Sequence, residues 1–187
     1  MILREVEDRD LIIEARKGKV EAYNLLISRW EKRVFNYILR LVRNREDALD
    51  LTQDVFLKAY QNLGKLDDPA RFASWLYRIA HNESFSQLRR VKADTCELTV
   101  EPVTGEAASR LFPIETSLAV ERALSRLSPE QREAIVLKIY EGFKFEEMAE
   151  ILETPVSTIK SRVYSAMELL KDALAPIQTR AQWRPLN

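Results

Sequence analysis

Arg71, Trp75, Arg78, Asn82, Phe85 and Arg89 have the spacing of a single helical stripe. At about 100° per residue they fall within roughly 80° of one another. Cations, ring faces and an amide interleaved in this way suit single-stranded nucleic acid. Guanidinium groups follow phosphates, aromatic rings stack on unpaired bases, and the amide meets a base edge. Arg90 and Lys92 lie just beyond the stripe, and the preceding loop, GKLDDPAR, brings Lys65 to one side of such a site. Loops set between rigid helices are frequent places of recognition. Phe72, Leu76, Ile79 and Ala80 form the core edge of the same helix, which Trp75 could share, and His81 is expected on the surface.

A second stripe is acidic. In EDALDLTQDVFLKAYQNL, Asp47, Asp50 and Asp54 share one face, with Gln61 beside them and Gln53 one flank away. Ala48, Leu51, Val55, Ala59 and Leu63 make the opposite, apolar face. Carboxylates crowded on one side repel one another and add nothing to helix propensity. Such a face is either simply solvated or a dock for a basic partner, where aspartate meets arginine forks.

A third pattern runs through FEEMAEILETPVSTIKSRVYSAMELL. Met148, Ala149 and Leu152 give one short helix an apolar stripe. Pro155 opens a second helix, where its fixed φ and missing N–H cost nothing. Val156, Ile159, Val163, Ala166 and Leu170 fall on one side of it. Ser157, Ser161, Tyr164 and Ser165 fall on the other, flanked by Lys160 and Arg162. A buried stripe backed by short hydrogen-bonding side chains and cations suits a helix laid in the major groove. An ordinary amphipathic hairpin would carry a similar pattern.

Helices are needed to position all three. The periodicity predicts short helices over Asp10–Lys17, stopped at Gly18, and a long one over Val20–Val42, with Tyr23, Leu26, Trp30, Val34, Tyr37 and Leu41 in step. Glu46–Leu63 and Phe72 to about Val91 follow. Further on come Leu118–Leu127 and Glu130–Glu141, the latter opened by Ser128-Pro129 and ended by Gly142. Residues 93–117, with two prolines, a glycine and no sustained period, read as a flexible linker. The expected architecture is all-α: two small helical domains, 1–92 and 118–175, joined by that linker, with a helix-turn-helix in the second and a tail at 176–187.

Composition agrees. Only 4 glycines beside 31% charged residues favour helices over sheets. No 18-residue apolar run is present, so no membrane insertion is expected. The start, MILREVEDRD, lacks the order of a signal peptide. One cysteine, Cys96, and one histidine exclude a disulfide framework or a zinc cluster and fit a reducing cytoplasm. Residues 1–92 carry 18 basic and 14 acidic side chains, residues 93–117 carry 1 and 5, and residues 118–175 carry 8 and 10. Attraction to a polyanion must therefore come from local patches. No nucleophile–base set, metal cluster or glycine-rich phosphate loop is visible, so neither an enzyme nor a cofactor is expected.

Taken in this order, the motifs resemble a bacterial RNA polymerase sigma factor of the extracytoplasmic-function (ECF) group. The resemblance covers about residues 8–92 and 118–172. EDALDLTQDVFLKAYQNL is similar to that family's polymerase-docking helix and FASWLYRIAHN to its promoter-melting helix. LSPEQREAIVLKIYEGFKFEEMAEILETPVSTIKSRV is similar to its −35-reading domain. The resemblance implies that Asp47, Asp50, Gln53 and Asp54 contact core RNA polymerase at the β′ clamp, the β subunit being a further partner. It implies that Lys65, Arg71, Trp75, Arg78, Asn82, Phe85 and Arg89 handle the −10 element. Ser157, Thr158, Lys160, Ser161, Arg162 and Tyr164 would address the −35 element. Promoter DNA and an anti-sigma factor are the other implied partners. The chain departs from the family pattern at Ser165, Met167 and Glu168, where many relatives carry arginines. Lys144 stands where a capping Ser or Thr is expected, and the turn has Ser157 where Gly is usual. A stand-alone helix-turn-helix regulator and an adaptor that uses these faces only for protein contacts remain as alternatives.

Overall fold

In a computed structural model the described residues are 6–94 and 122–182, with side chains to 93 and to 173. All regular elements among them are helical, in two compact units on either side of residues 95–121. Cys96, Trp183 and most of the expected linker lie outside the described residues.

The first unit holds α1 (Asp8–Arg16), α2 (Val20–Val42), α3 (Arg45–Asn62) and α4 (Phe72–Asp94). Gly18, at φ 89°, breaks the chain between α1 and α2. The α2 end differs in kind: Arg43 takes the left-handed conformation at φ 60° and donates its N–H to the Leu39 carbonyl. Asn44 then caps α3, its side chain accepting from the Glu46 and Asp47 N–H groups at 2.9 and 3.1 Å. The expected stripes are buried: Leu26, Val34 and Tyr37 on α2, and Ala48, Leu51, Val55, Ala59 and Leu63 on and just after α3.

On α4 the core edge is turned from the expected one. Phe72, Leu76 and Ala80 are buried, but Ile79 is only half-buried, and Tyr77 and Ser84 are buried instead. The reason is that α4 packs on α2 as well as on α3, which brings Tyr77 edge-on to Tyr37 at 5.1 Å. Ser84 is wholly buried and its hydroxyl has no hydrogen-bond partner among the described residues. An unsatisfied buried hydroxyl is destabilising, so Ser84→Ala is expected to stabilise this unit by up to about 1 kcal/mol, read as a higher melting temperature. The Tyr23 hydroxyl is buried too, but donates to the Phe56 carbonyl at 2.5 Å. Burial pushes its pKa well above the usual tyrosine range. Folding thus favours the neutral phenol, and the stability this gives is complete below about pH 10 and falls as pH rises further.

The second unit contains a helical turn at 122–125, α5 (Pro129–Ile135, continued as a π-helical turn over Val136–Tyr140), α6 (Phe145–Ile151) and α7 (Val156–Gln182). Ser128 and Gln131 form a reciprocal capping box at the start of α5, as Ser128-Pro129 foretells. Arg132 donates from Nε to the Leu124 carbonyl and from Nη2 to that of Leu127, which fastens the preceding turn to α5. Gly142, at φ 79°, ends the π-helical segment. Ile135, Leu137, Met148, Ile159, Val163 and Ala166 are buried as the core. At its far end α7 runs to Gln182.

Candidate nucleic-acid interface

On α3, Asp50, Gln53 and Asp54 are exposed, backed by the buried stripe. Asp47 is different. It is half-buried in the first turn of the helix, where a carboxylate favours the free N–H groups and the positive end of the dipole. Sequence reasoning missed two exposed leucines of this helix, Leu57 on the acidic side and Leu49 beyond Gln53, which are 56% and 45% exposed. Leu57 falls within about 60° of both Asp50 and Asp54 on the helix. Two leucines off the core stripe and eight residues apart were the available signal.

On α4 and the turn before it, Arg71, Arg78, Asn82 and Arg89 are exposed, while Trp75 and Phe85 are half-buried. The Trp75 ring lies 6.0 Å from that of Phe72, which meets Trp30 edge-on at 5.9 Å. Trp75 thus leans on the core with one part and keeps the rest outside. His81 is not a separate surface residue: it is half-buried, with its ring 4.7 Å from Phe85 one turn along. An i, i+4 aromatic pair accounts for that placement.

The loop from Leu63 to Arg71 is held at several points. Leu63 and Leu66 are buried and leave Lys65 exposed between them. The Arg16 side chain, from the end of α1, donates to the carbonyls of both leucines. Asp68 accepts from the Ala70 N–H at 2.9 Å and so caps the turn that leads into α4. Neither Arg16 nor this use of Asp68 was visible in the sequence pattern.

In the second unit α7 is arranged as expected. Ile159, Val163 and Ala166 are buried, Val156 and Leu170 half-buried, and Ser157, Thr158, Lys160, Ser161 and Tyr164 exposed; Arg162 is half-buried. Ser165 is engaged within the unit, accepting from Gln131 Nε2 at 3.2 Å. Lys144 offers no side-chain acceptor, but the cap is half restored because Glu147 accepts from the Lys144 N–H at 2.7 Å. The turn itself is corrected by the structure. Ser157 is already the second residue of α7, and the left-handed residue of the turn is Glu153, at φ 48°. A side chain is strained there and glycine is not, so Glu153→Gly is expected to stabilise the protein by about 0.5–1 kcal/mol, measured by thermal melting.

Comparison with known proteins gives the family of both parts of the chain. Residues 26–93 match Sigma-70 region 2, and residues 117–170 match Sigma-70, region 4. A region 2 followed by a region 4 defines the class, that of sigma-70-type transcription initiation factors. The chain is 30% identical over 190 residues to the ECF RNA polymerase sigma-E factor of Escherichia coli K12, covering 94% of this chain and 98% of that one. It is 28% identical over 193 residues to the RNA polymerase sigma-H factor of Pseudomonas aeruginosa, covering 96% and 100%. The chain belongs to the ECF group of RNA polymerase sigma factors. Among solved structures it resembles CnrH in complex with the cytosolic domain of CnrY, with a TM-score of 0.68 and 25% identity over 90% of this chain and 97% of that one. It resembles equally, at TM-score 0.68 and 25% identity, the sigma factor RpoE in complex with the anti-sigma factor NepR from Bartonella quintana, over 82% and 96%. Among the described residues no helix is long and apolar enough to cross a membrane.

Proposed function

We propose that the work of promoter recognition is divided among three faces of this chain, with residues 1–92 and 118–175 as the working domains. Asp50, Gln53 and Asp54, with Leu57 among them, dock on the β′ clamp of core RNA polymerase. Aspartates meet arginine forks there and the leucine supplies apolar contact. Asp47 contributes chiefly by stabilising the start of α3. The loop carrying Lys65 and the α4 stripe of Arg71, Trp75, Arg78, Asn82, Phe85 and Arg89 accept unstacked bases of the −10 element and follow their phosphates. Ser157, Thr158, Lys160, Ser161, Arg162 and Tyr164 meet the duplex at the −35 element.

The observation that carries this reading is that each face keeps most of its charged and polar side chains exposed, on a helix whose other side packs into a buried core. Such faces are rigidly presented and contribute little to the cores. No covalent chemistry is required. Polymerase binding holds both domains over one promoter, and capture of flipped bases offsets an unpairing cost of about a few kcal/mol. The second domain carries more acidic than basic side chains, so its isolated affinity for DNA is weak and promoter binding depends on both domains acting together. The polymerase β subunit is the further contact of the second domain. A protein partner of the anti-sigma kind is a further expected partner, RpoE of Bartonella quintana being found in complex with the anti-sigma factor NepR. The site of action is the cytoplasm.

A gel-shift with forked promoter DNA tests the proposal. A shift that requires both the chain and core polymerase supports it. Tight duplex binding by the chain alone would favour a stand-alone regulator, and no shift in either case would leave only an adaptor role.

A further inference from the structure

The ring of Phe145 is the meeting point of three side chains from two other elements. The Lys138 ammonium lies 4.7 Å from the ring centroid and the Lys160 ammonium 5.6 Å. The Tyr164 ring is 6.5 Å away, tilted by 47°. Both ammonium groups are within the distance at which the quadrupole of a ring attracts a cation. The ring is itself well placed. Phe145 opens α6, and the contact of Glu147 with the Lys144 N–H fixes the backbone immediately before it. Lys138 comes from the π-helical turn and also donates to the Phe143 carbonyl at 3.0 Å. Lys160 and Tyr164 sit one turn apart on α7 and are exposed, whereas Phe145 and Lys138 are half-buried.

We propose that Phe145 is a positioning residue for duplex recognition, whose ring presets Lys160 and Tyr164 so that they meet DNA as one ordered group. The inference rests on the reading of α7 as the −35 helix. A lysine that grips a phosphate from free solution gives up rotamer freedom on binding. One that already leans on a ring has given up much of it beforehand. Two ammonium groups gathered at one ring also repel each other, and an arriving phosphate relieves that repulsion. The arrangement thus makes a positive spot in a domain with a slight acidic excess.

The test uses the full chain bound to core polymerase and the closed complex on a duplex promoter at low temperature. Phe145→Leu keeps an apolar side chain and removes the π-face; it is expected to weaken binding about three- to fivefold, while Phe145→Trp retains it. In a cycle with Lys160→Gln the two losses are less than additive, because each removes the same contact. In the free chain, ring-current shifts on the Lys138 and Lys160 ε-methylene protons disappear in Phe145→Leu. Should Phe145→Leu lower the melting temperature, Phe145→Met replaces it. Additive losses, equal losses in the Leu and Trp variants, or absent ring-current shifts would overturn the positioning role. If Lys160→Gln alone leaves binding unchanged, the −35 reading of α7 fails and this inference with it. A weakened Lys160→Gln beside an unaffected Phe145→Leu sinks the inference alone.

Discussion

Asp50→Lys combined with Asp54→Lys abolishes capture of core RNA polymerase while the chain stays folded. Both side chains are exposed in the middle of α3, away from the capped first turn, and lysine is a better helix former than aspartate. Folding therefore has no reason to suffer. Binding has two. Each aspartate withdrawn removes a charge-assisted hydrogen bond worth about 1.5–3 kcal/mol, and each lysine added sets like charge against the basic partner. Two such losses, about 3–6 kcal/mol before the added repulsion, weaken binding by two to four orders of magnitude, read as lost co-migration on a sizing column run at nanomolar concentration. Asp47→Asn is the informative control. Its carboxylate serves the helix start, so it lowers the melting temperature slightly and affects capture far less. Normal co-migration of the folded double variant would remove α3 from the docking surface.

Asn82→Ala together with Trp75→Ala slows opening of duplex promoters by at least about tenfold and has a much smaller effect on a pre-melted template. A stacked base is worth about 1–3 kcal/mol, and that energy is required only where the strands have still to be separated. Asn82 is exposed and its removal leaves the fold alone. Trp75 also supports Phe72, so part of its loss appears as reduced stability, and the melting temperature of each variant must accompany the rates. Fluorescence of a base analogue in the −10 element reports opening directly. Equal slowing on both templates would mean that these residues serve general DNA affinity and not strand separation.

The long elements could be read from residue pattern because their signals are redundant. Along α2 six apolar positions keep one period, a glycine precedes the helix, and Val20–Val42 is recovered at both ends. Ser128, Pro129 and Gly142 similarly mark their boundaries by local backbone chemistry. The exposure of Asp50, Gln53 and Asp54 on α3 and of Ser157, Lys160, Ser161 and Tyr164 on α7 was legible for the same reason, since it follows once the opposite stripe is known. What could not be read depends on partners distant in the chain. Tyr77 and Ser84 are buried because α4 touches two helices, a fact no local period contains. The π-helical turn over Val136–Tyr140 has no residue signature, and it leaves Ile139 60% exposed inside an apolar run. The left-handed residue of the turn is Glu153 and not Ser157, because the register depends on where α6 stops. Leu49 and Leu57 lie outside the core stripe, so the period that marks a core does not include them.

The guanidinium of Arg16 grips carbonyls 47 and 50 residues later in the chain. The loop proposed to choose promoter bases is therefore not an autonomous hairpin-like piece. Part of its shape comes from α1 docked beside it, so under the proposed function base selectivity depends in part on that helix. Trimming that helix away would blur the choice of promoter before it abolished transcription.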